Sequence, residues 1–428
     1  MKKSISIFVG VVAYVLCFAT PETMNFICKT DKNPLTYKCG EEMKFEIQFT
    51  EDGKPKAGQP LEWVISSDDG APVRKGKAVS AETPLKLTAS CKTPGFVRVR
   101  VWAKDKDNKT IYAIRKLDKR RQQISFQGGA GACIEKIKSS TQEPADFDAF
   151  WQRQLDALAK VPIKCDKKLL PQYSKDEFNV WELTISCVGK PAKAFLSIPK
   201  NAKVKSLPLE VQYIGYGVNA IYPYNKRNKI VLRVERHFYE LLREKKYYDD
   251  MRNGELKAFG LLAKENENPE NCYFKNMILR DIRALQYAKK YVKEWNGKDI
   301  CVHGGSMGGF QSVFVAMLDN DVKHAILVVP WMTDLWASNH TTRQKCEFTP
   351  QWTPSIRYFD SNNAIKRVKC RVDVYAWLGD YVCPPAGIMV LYNNAKCPIT
   401  FSMGQNGNHG GSVSMFVETS QQFHLKKN

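Results

Sequence analysis

The sequence predicts two folded parts in succession: a small immunoglobulin-like β-sandwich, then a larger α/β domain whose mainly parallel sheet carries helices on both faces. Three observations predict this. Residues 34–115 hold short strands separated by turns, strands alternate with helical stretches from about Ala145 onward, and the 428 residues are 43% hydrophobic and 11% aromatic. That length and composition suit two cores and exclude wholesale disorder.

The chain opens with Lys2 and Lys3, then an apolar run from Ile5 to Ala19 that Thr20, Pro21 and Glu22 end. The run is shorter than the roughly 20 residues of a membrane-spanning helix, so residues 1–19 are expected to be a cleaved export signal. Cys17 follows the bulky Leu16, where a lipid-attachment site wants a small residue, so anchoring is not expected. No second apolar stretch is long enough to span a bilayer, and membrane insertion of the mature chain is not expected.

Residues 24–118 are expected to form the sandwich. Strands are expected at Lys44–Phe49, Leu61–Ile65, Pro84–Thr88 and Phe96–Ala103, divided by Asp52-Gly53, Asp69-Gly70 and Pro94-Gly95. In Val97-Arg98-Val99-Arg100-Val101 the alternation puts apolar side chains on one face and charges on the other. A basic, glycine-bearing stretch then suggests a linker over residues 119–144, leaving 145–428 for the α/β domain.

Phe147, Phe150, Trp151, Leu155 and Leu158 recur at helical spacing. Strands are expected at Val180–Cys187, Ala194–Ile198, Glu210–Tyr213, Lys229–Val234, Asp299–His303, Ala325–Val329 and Val372–Trp377. Ile278, Ile282, Leu285 and Val292 make one helical stripe, which Asn296-Gly297 stops. Such alternation implies parallel strands joined by helical crossovers.

The formal net charge of +21 is spread along the chain, with Lys119–Arg121 the single tight cluster. No nucleic-acid-binding signature accompanies it, so no nucleic-acid partner is expected and a solvated basic surface is. Of 13 cysteines, Cys17 lies in the signal; the other twelve are expected to be a mixture of bridges and buried thiols such as Cys301. No CxxC pair or His/Cys cluster at zinc spacing occurs, so neither metal nor cofactor is expected.

The chemical signal is Gly304-Gly305-Ser306-Met307-Gly308-Gly309, between the strand ending at His303 and the helical Phe310–Leu318. Strand, G-x-S-x-G and helix is the context of a nucleophile elbow in an α/β hydrolase. The serine occupies a strained turn, and glycines two residues to either side let backbones approach. A phosphate loop is excluded because its lysine is missing.

A nucleophilic serine needs a base and an orienting acid, in the chain order Ser, Asp or Glu, His. His237 and His303 precede Ser306, His324 lies at the wrong end of a strand, His340 precedes the best acid, and His424 is in a polar tail. His409, in Gly407-Asn408-His409-Gly410-Gly411 before an expected final helix, is the base, with His424 as fallback. Asp380 follows the strand ending at Trp377 and is the preferred acid; Asp334 competes, and Asp373 sits at the far end of its strand. The amides of Met307 and of Tyr216, in Gly215-Tyr216-Gly217, are the candidate oxyanion donors.

Together these residues resemble the acetyl xylan esterase and cephalosporin-C deacetylase family of α/β hydrolases. The likeness runs from about Ala145 to the C-terminus. It lies in Asp146-Phe147-Asp148-Ala149-Phe150-Trp151, Gly215-Tyr216, Asp281-Ile282-Arg283-Ala284-Leu285, Tyr358-Phe359-Asp360, and Gly379-Asp380 through Pro385. It implies a Ser306, Asp380, His409 triad, oxyanion amides at Tyr216 and Met307, and acetylated carbohydrate as substrate, without a cofactor. An N-terminal β-sandwich is similar to the two-domain members. The chain departs from the family's best-characterised branch at Ile214, where a histidine stands, and at Met307, where a glutamine stands. Its Arg-Gly-Gln motif is not found near Leu232–His237, and its His-Glu pair becomes His409-Gly410. The departures leave the triad intact; a homo-oligomer stays open. So do other acyl specificities (a feruloyl esterase or a peptidase) and a carbohydrate-binding protein without catalysis.

Overall fold

The computed structural model describes residues 24–114, 121–175, 177–343, 346, 348–409 and 421–428. The expected export signal and the helix expected after His409 lie outside these residues.

Ten strands build the N-terminal part: β1 (Met24–Thr30), β2 (Met43–Glu51), β3 (Lys54–Pro55), β4 (Pro60–Ser67), β5 (Arg74–Val79), β6 (Leu85–Ala89), β7 (Gly95–Ala103), β8 (Tyr112–Ile114), β9 (Arg121–Gln123) and β10 (Ser125–Ala132). One sheet runs β1-β2-β3 with β6 also on β2, a second runs β10-β7-β4-β5, and β8 pairs with β9. Phe26, Phe45 and Phe49 of the first sheet share a core with Val97, Val99, Val101 and Phe126 of the second. The alternating strands therefore do what period-two patterning dictates: each sheet buries one face against the other.

One expectation fails here. The stretch expected as a linker carries β9 and β10, and β10 pairs along its whole length with β7, from Ser125 opposite Trp102 to Ala132 opposite Gly95. On the charged face of β7, Arg98 is 8% exposed and its guanidinium lies 3.5 Å from the centre of the Tyr381 ring.

The second part is a ten-stranded sheet of β11 (Cys165–Leu169), β12 (Phe178–Ile185), β13 (Ala192–Pro199), β14 (Leu207–Tyr213), β15 (Ile230–Val234), β16 (Trp295–Gly305), β17 (His324–Val328), β18 (Arg371–Trp377), β19 (Ile399–Gly404) and β20 (Gln422–Lys427). Their order is β11-β12-β13-β15-β14-β16-β17-β18-β19-β20. The six from β15 to β19 run parallel, with antiparallel strands at either end. The central strands are near-continuous apolar runs, as a covered parallel sheet requires. β20 places His424 opposite Ser402, to whose hydroxyl its Nδ1 bonds at 2.9 Å, so the expected polar tail is an edge strand.

The helices are α1 (Phe147–Ala159), α2 (Lys245–Asn253), α3 (Tyr273–Tyr291), α4 (Met307–Leu318), α5 (Leu335–His340), α6 (Ser361–Ala364) and α7 (Pro385–Asn394). α3 buries Ile278, Ile282 and Leu285 as the stripe predicts, packing on β13 and β15 and against α4. Burial of each such side chain stabilises the fold by roughly 1.5–3 kcal/mol. α4 lies over β14, β16 and β17, which carries Ser306 above the middle of the sheet. Each of the twelve described cysteines is a free thiol, so the expected mixture of bridges and thiols is not what the structure holds.

Candidate active site

Ser306 caps α4 with φ 56° and ψ −117°, a conformation that an L residue enters only under strain. Surrounding bonds hold it there. Its N–H donates to Val328 O at 2.8 Å, and its carbonyl accepts from Gly309 and Trp331 at 2.9 and 3.1 Å. The flanking glycines are needed for space. A Cβ on Gly304 would lie 2.5 Å from the carbonyl carbon of Gly308, and one on Gly308 would lie 2.3 Å from Tyr213 O. The turn thus presses α4 onto β14 and β16 and leaves the hydroxyl at the C-terminal end of the parallel strands.

The expected acid and base lie beyond strands further along the sheet. β18 ends at Trp377 and delivers Asp380, whose side chain is wholly buried; β19 leads to His409. His409 Nε2 is 3.0 Å from Ser306 Oγ, and its Nδ1 is 2.9 Å from Asp380 Oδ2. The other carboxylate oxygen, Oδ1, accepts the N–H groups of Val382 and Cys383, each at 2.9 Å. With Oδ1 taken up by two N–H groups, Oδ2 is the oxygen that faces the Nδ1–H of the imidazole, and Nε2 is turned toward the Ser306 hydroxyl.

The rival residues are used elsewhere. Asp334 accepts from Ser140 N and Oγ at 2.8 and 2.9 Å and pairs with Arg343. Asp373 pairs with His324 at 2.7 Å, and His303 bonds Glu210 at 3.0 Å. Burial opposes ionisation of Glu210, yet His303, Lys226 and Lys229 hold its carboxyl well below the usual range. His340 Nδ1 donates to Trp336 O at 3.0 Å on its own helix.

The loop after β14 lies beside the serine, because Tyr213 pairs with Gly304 and a Cβ on Gly215 would come 3.1 Å from Gly305 O. Met307 opens α4, where the first amide groups have no partner within the helix. The loop is held from behind. His237 Nε2 donates to Gly217 O at 3.1 Å while Tyr273 bonds its Nδ1, and Arg236 reaches Gly217 O and, at 2.8 Å, Asn219 Oδ1. Burial, reinforced by Arg236 and Arg280, pushes the His237 imidazole well below its ordinary pKa, so it stays neutral. Sequence order excluded His237 as the base but gave no sign of this supporting role. The Tyr216 ring, 47% exposed, packs against Phe259 and Phe348 at 4.9 and 4.6 Å between centres.

One neighbour of the triad was not anticipated. Cys383, in Cys383-Pro384-Pro385, brings its thiol among the side-chain atoms of Asp380 and His409, all within 4.8 Å of one another. Burial pushes this thiol well above its ordinary pKa, and the adjacent Asp380 adds to it. A metal ion there would have to take His409 nitrogens already committed to Ser306 and Asp380, and a sulfur held protonated. The donor set suits proton transfer better than metal binding.

A sheet in which one parallel strand ends in a strained serine turn, and the strands beyond it supply acid and base, is the architecture of the α/β hydrolases. Residues 132–428 match the acetyl xylan esterase (AXE1) family, and the chain belongs to that family. An acetyl esterase of Xylanibacter ruminicola, Axe7A, is 26% identical over an alignment of 378 residues that covers 85% of this chain and 81% of that protein. The structure of an acetyl xylan esterase from Paenibacillus sp. R4 has the same fold, with a TM-score of 0.54 and 22% identity over 65% of this chain and 94% of that one. Acetyl xylan esterase 1 from Thermoanaerobacterium sp. JW/SL YS485 gives 0.52 and 20% over 66% and 93%. The chain is accordingly a carboxylic ester hydrolase. Among the described residues no helix is long and apolar enough to cross a membrane.

Proposed function

We propose that the chain is a serine esterase that removes acetyl groups from the hydroxyls of acetylated polysaccharide or oligosaccharide. His409 Nε2 takes the proton of Ser306, whose oxygen attacks the acetyl carbonyl. The amides of Tyr216 and Met307 hold the oxyanion, each worth roughly 3–4 kcal/mol of barrier. The intermediate collapses by expelling the sugar oxygen, which receives the proton from His409. Water, deprotonated by His409, then attacks the acetyl-serine; acetate leaves and the proton returns to Ser306. Asp380 stabilises the imidazolium formed in each half.

The observation that carries this reading is the unbroken hydrogen-bond chain from Ser306 Oγ through His409 to Asp380, at 3.0 and 2.9 Å. The acetyl preference rests on the family and on the name of the Xylanibacter relative. Acetate release from acetylated xylan, with 4-nitrophenyl acetate alongside, tests both parts. Wild type is expected to release acetate and Ser306→Ala to release none. A Ser306→Ala chain that still turns over 4-nitrophenyl acetate overturns the serine mechanism. Turnover of feruloyl esters but not acetates overturns the acyl assignment. The proposal includes cleavage of residues 1–19 on export and an immunoglobulin-like form for the N-terminal sheets. Intact-mass measurement of the processed chain tests the cleavage, and a retained Met1 refutes it.

A further inference from the structure

We propose that the N-terminal β layer is a working part of the active site. Strand β10 grips the loop carrying the acid and the loop carrying the base, and Gln405 is the positioning residue at that contact. The inference rests on the triad proposed above and adds a structural requirement for it.

Asp380 and His409 are far apart in sequence, and each sits on a loop beyond the end of a strand. Their hydrogen bond therefore depends on what the two loops lean against, and both lean on β10. On the base side, Gln405 is 3% exposed and makes a closed pair of bonds with the backbone of Gly129. Gly129 N–H donates to Gln405 Oε1 and Gln405 Nε2 donates to Gly129 O, both at 2.9 Å. Two residues on, Gly407 N–H donates to Gln127 O at 2.9 Å. Between them, Asn406 Nδ2 donates to Phe26 O on β1 at 2.9 Å. His409 follows two residues after Gly407.

On the acid side, Gly379 directly precedes Asp380. A Cβ there would lie 2.5 Å from Gln127 C and O and 2.5 Å from Gly407 O, so acid loop, base loop and β10 meet at one point. Tyr381, directly after Asp380, is covered by the Arg98 guanidinium of β7 at 3.5 Å. The contact also accounts for Gly128 of β10, where a Cβ would come 2.0 Å from Gln405 Oε1. Glycine inside a strand marks close approach of another segment, and that segment here is the base loop.

Geometry held within about half an ångström is what separates a present triad from a productive one, and a 1 Å misplacement can cost about a hundredfold in rate. Loosening β10 should thus lower kcat while leaving KM in place, since the contact touches the acid and base loops and not the loop after β14 beside the serine. The test uses full-length chains carrying Gln405→Ala, Gly128→Ala, both together, and Val79→Ala as a control on the exposed side of β5. Folding is checked by circular dichroism and Tm. Each single variant is expected to lose about 10- to 100-fold in kcat for 4-nitrophenyl acetate with KM within about twofold, and to react proportionately more slowly with a fluorophosphonate. The double variant is expected to be no worse than Gly128→Ala, because the methyl no longer meets the glutamine and is left with the Phe126 ring, 2.6 Å away, as its one close neighbour. Val79→Ala should match wild type.

A folded Gln405→Ala or Gly128→Ala chain with kcat within twofold of wild type, while Ser306→Ala is inactive, sinks the positioning role and leaves the triad standing. An active Ser306→Ala chain removes the triad and this inference with it. A rise in KM at constant kcat would instead make the layer a substrate-binding element and also overturns the proposal. If Gln405→Ala does not fold, Gly128→Ala decides from the opposite side of the contact.

Discussion

Replacing Asp380 by asparagine is the most incisive perturbation of the proposed mechanism, because the structure dictates which way the amide must turn. Oδ1 accepts two backbone N–H groups, from Val382 and Cys383. An asparagine keeps those bonds only with its carbonyl there, which aims its NH2 at His409 Nδ1. The imidazole must then accept at Nδ1 and carry its proton on Nε2, facing Ser306, where a donor cannot act as a base. The lost imidazolium stabilisation and the wrong tautomer together are worth about 10⁴-fold in kcat by analogy with other triads, or about 5.5 kcal/mol in the barrier. KM and Tm should barely move, since shape and backbone bonds are kept. Steady-state hydrolysis of 4-nitrophenyl acetate with a thermal melt measures both. A kcat within tenfold of wild type would refute the reasoning. Asp334→Asn is the matched control: its bonds go to Ser140 and Arg343, so it should lower Tm and spare kcat.

Three further outcomes are expected. Gly308→Ala forces a methyl 2.3 Å from Tyr213 O, so it should cost roughly 1–3 kcal/mol of stability and, by moving the serine turn, most of the activity; an unchanged Tm and kcat would contradict the close packing. Tyr216→Ala keeps the backbone amide but removes the exposed ring, so kcat on aryl acetates should hold while KM for acetylated oligosaccharide rises several-fold; a collapse of kcat would instead give the ring a catalytic part. Asp360 is pushed up to about 7 by burial and by the neighbouring Asp334, against 3.8 for the unfolded chain. The native chain therefore keeps a proton between those values that the unfolded chain has released. Stability should fall as pH rises from 3.8 to about 7, by roughly 4 kcal/mol at most, and urea melts of Asp360→Asn should show a flatter slope over that window.

The site was legible where chemistry constrains local sequence. An elbow needs small residues at fixed offsets, so Gly304, Ser306 and Gly308 announce themselves. Chain order then reduces six histidines to very few, and Asp380 stands out because an acid after a strand end is where a sheet can present one. The structure brings these three side chains into hydrogen-bond reach. Contacts made across long sequence separations left no such trace. Nothing local to His237 foretells that its ring bonds Gly217, and nothing in Cys383-Pro384-Pro385 foretells that the thiol lies beside the triad.

The misread linker shows why. Basic residues and the glycines Gly128, Gly129 and Gly131 suggest a linker there, and glycine is consistent with one because it leaves the backbone free. In β10 each of them answers to a neighbour: Gln405 against Gly128, Val97 O against Gly129, and the Phe96 and Ile134 side chains against Gly131. The same residue type serves flexibility where nothing is near and close approach where something is, and a single sequence does not distinguish the two. What distinguishes them is the alternating Ser125-Phe126-Gln127 that leads into the glycines: Phe126 is buried in the core shared by the two sheets, and the strand that carries it continues through Gly128–Gly131 alongside β7. Once that strand is granted, its backbone has an outer edge that needs hydrogen-bond partners, and Gln405 and Gly407 supply them. The boundary expected between the two parts of the molecule is thus a seam where they hold one another.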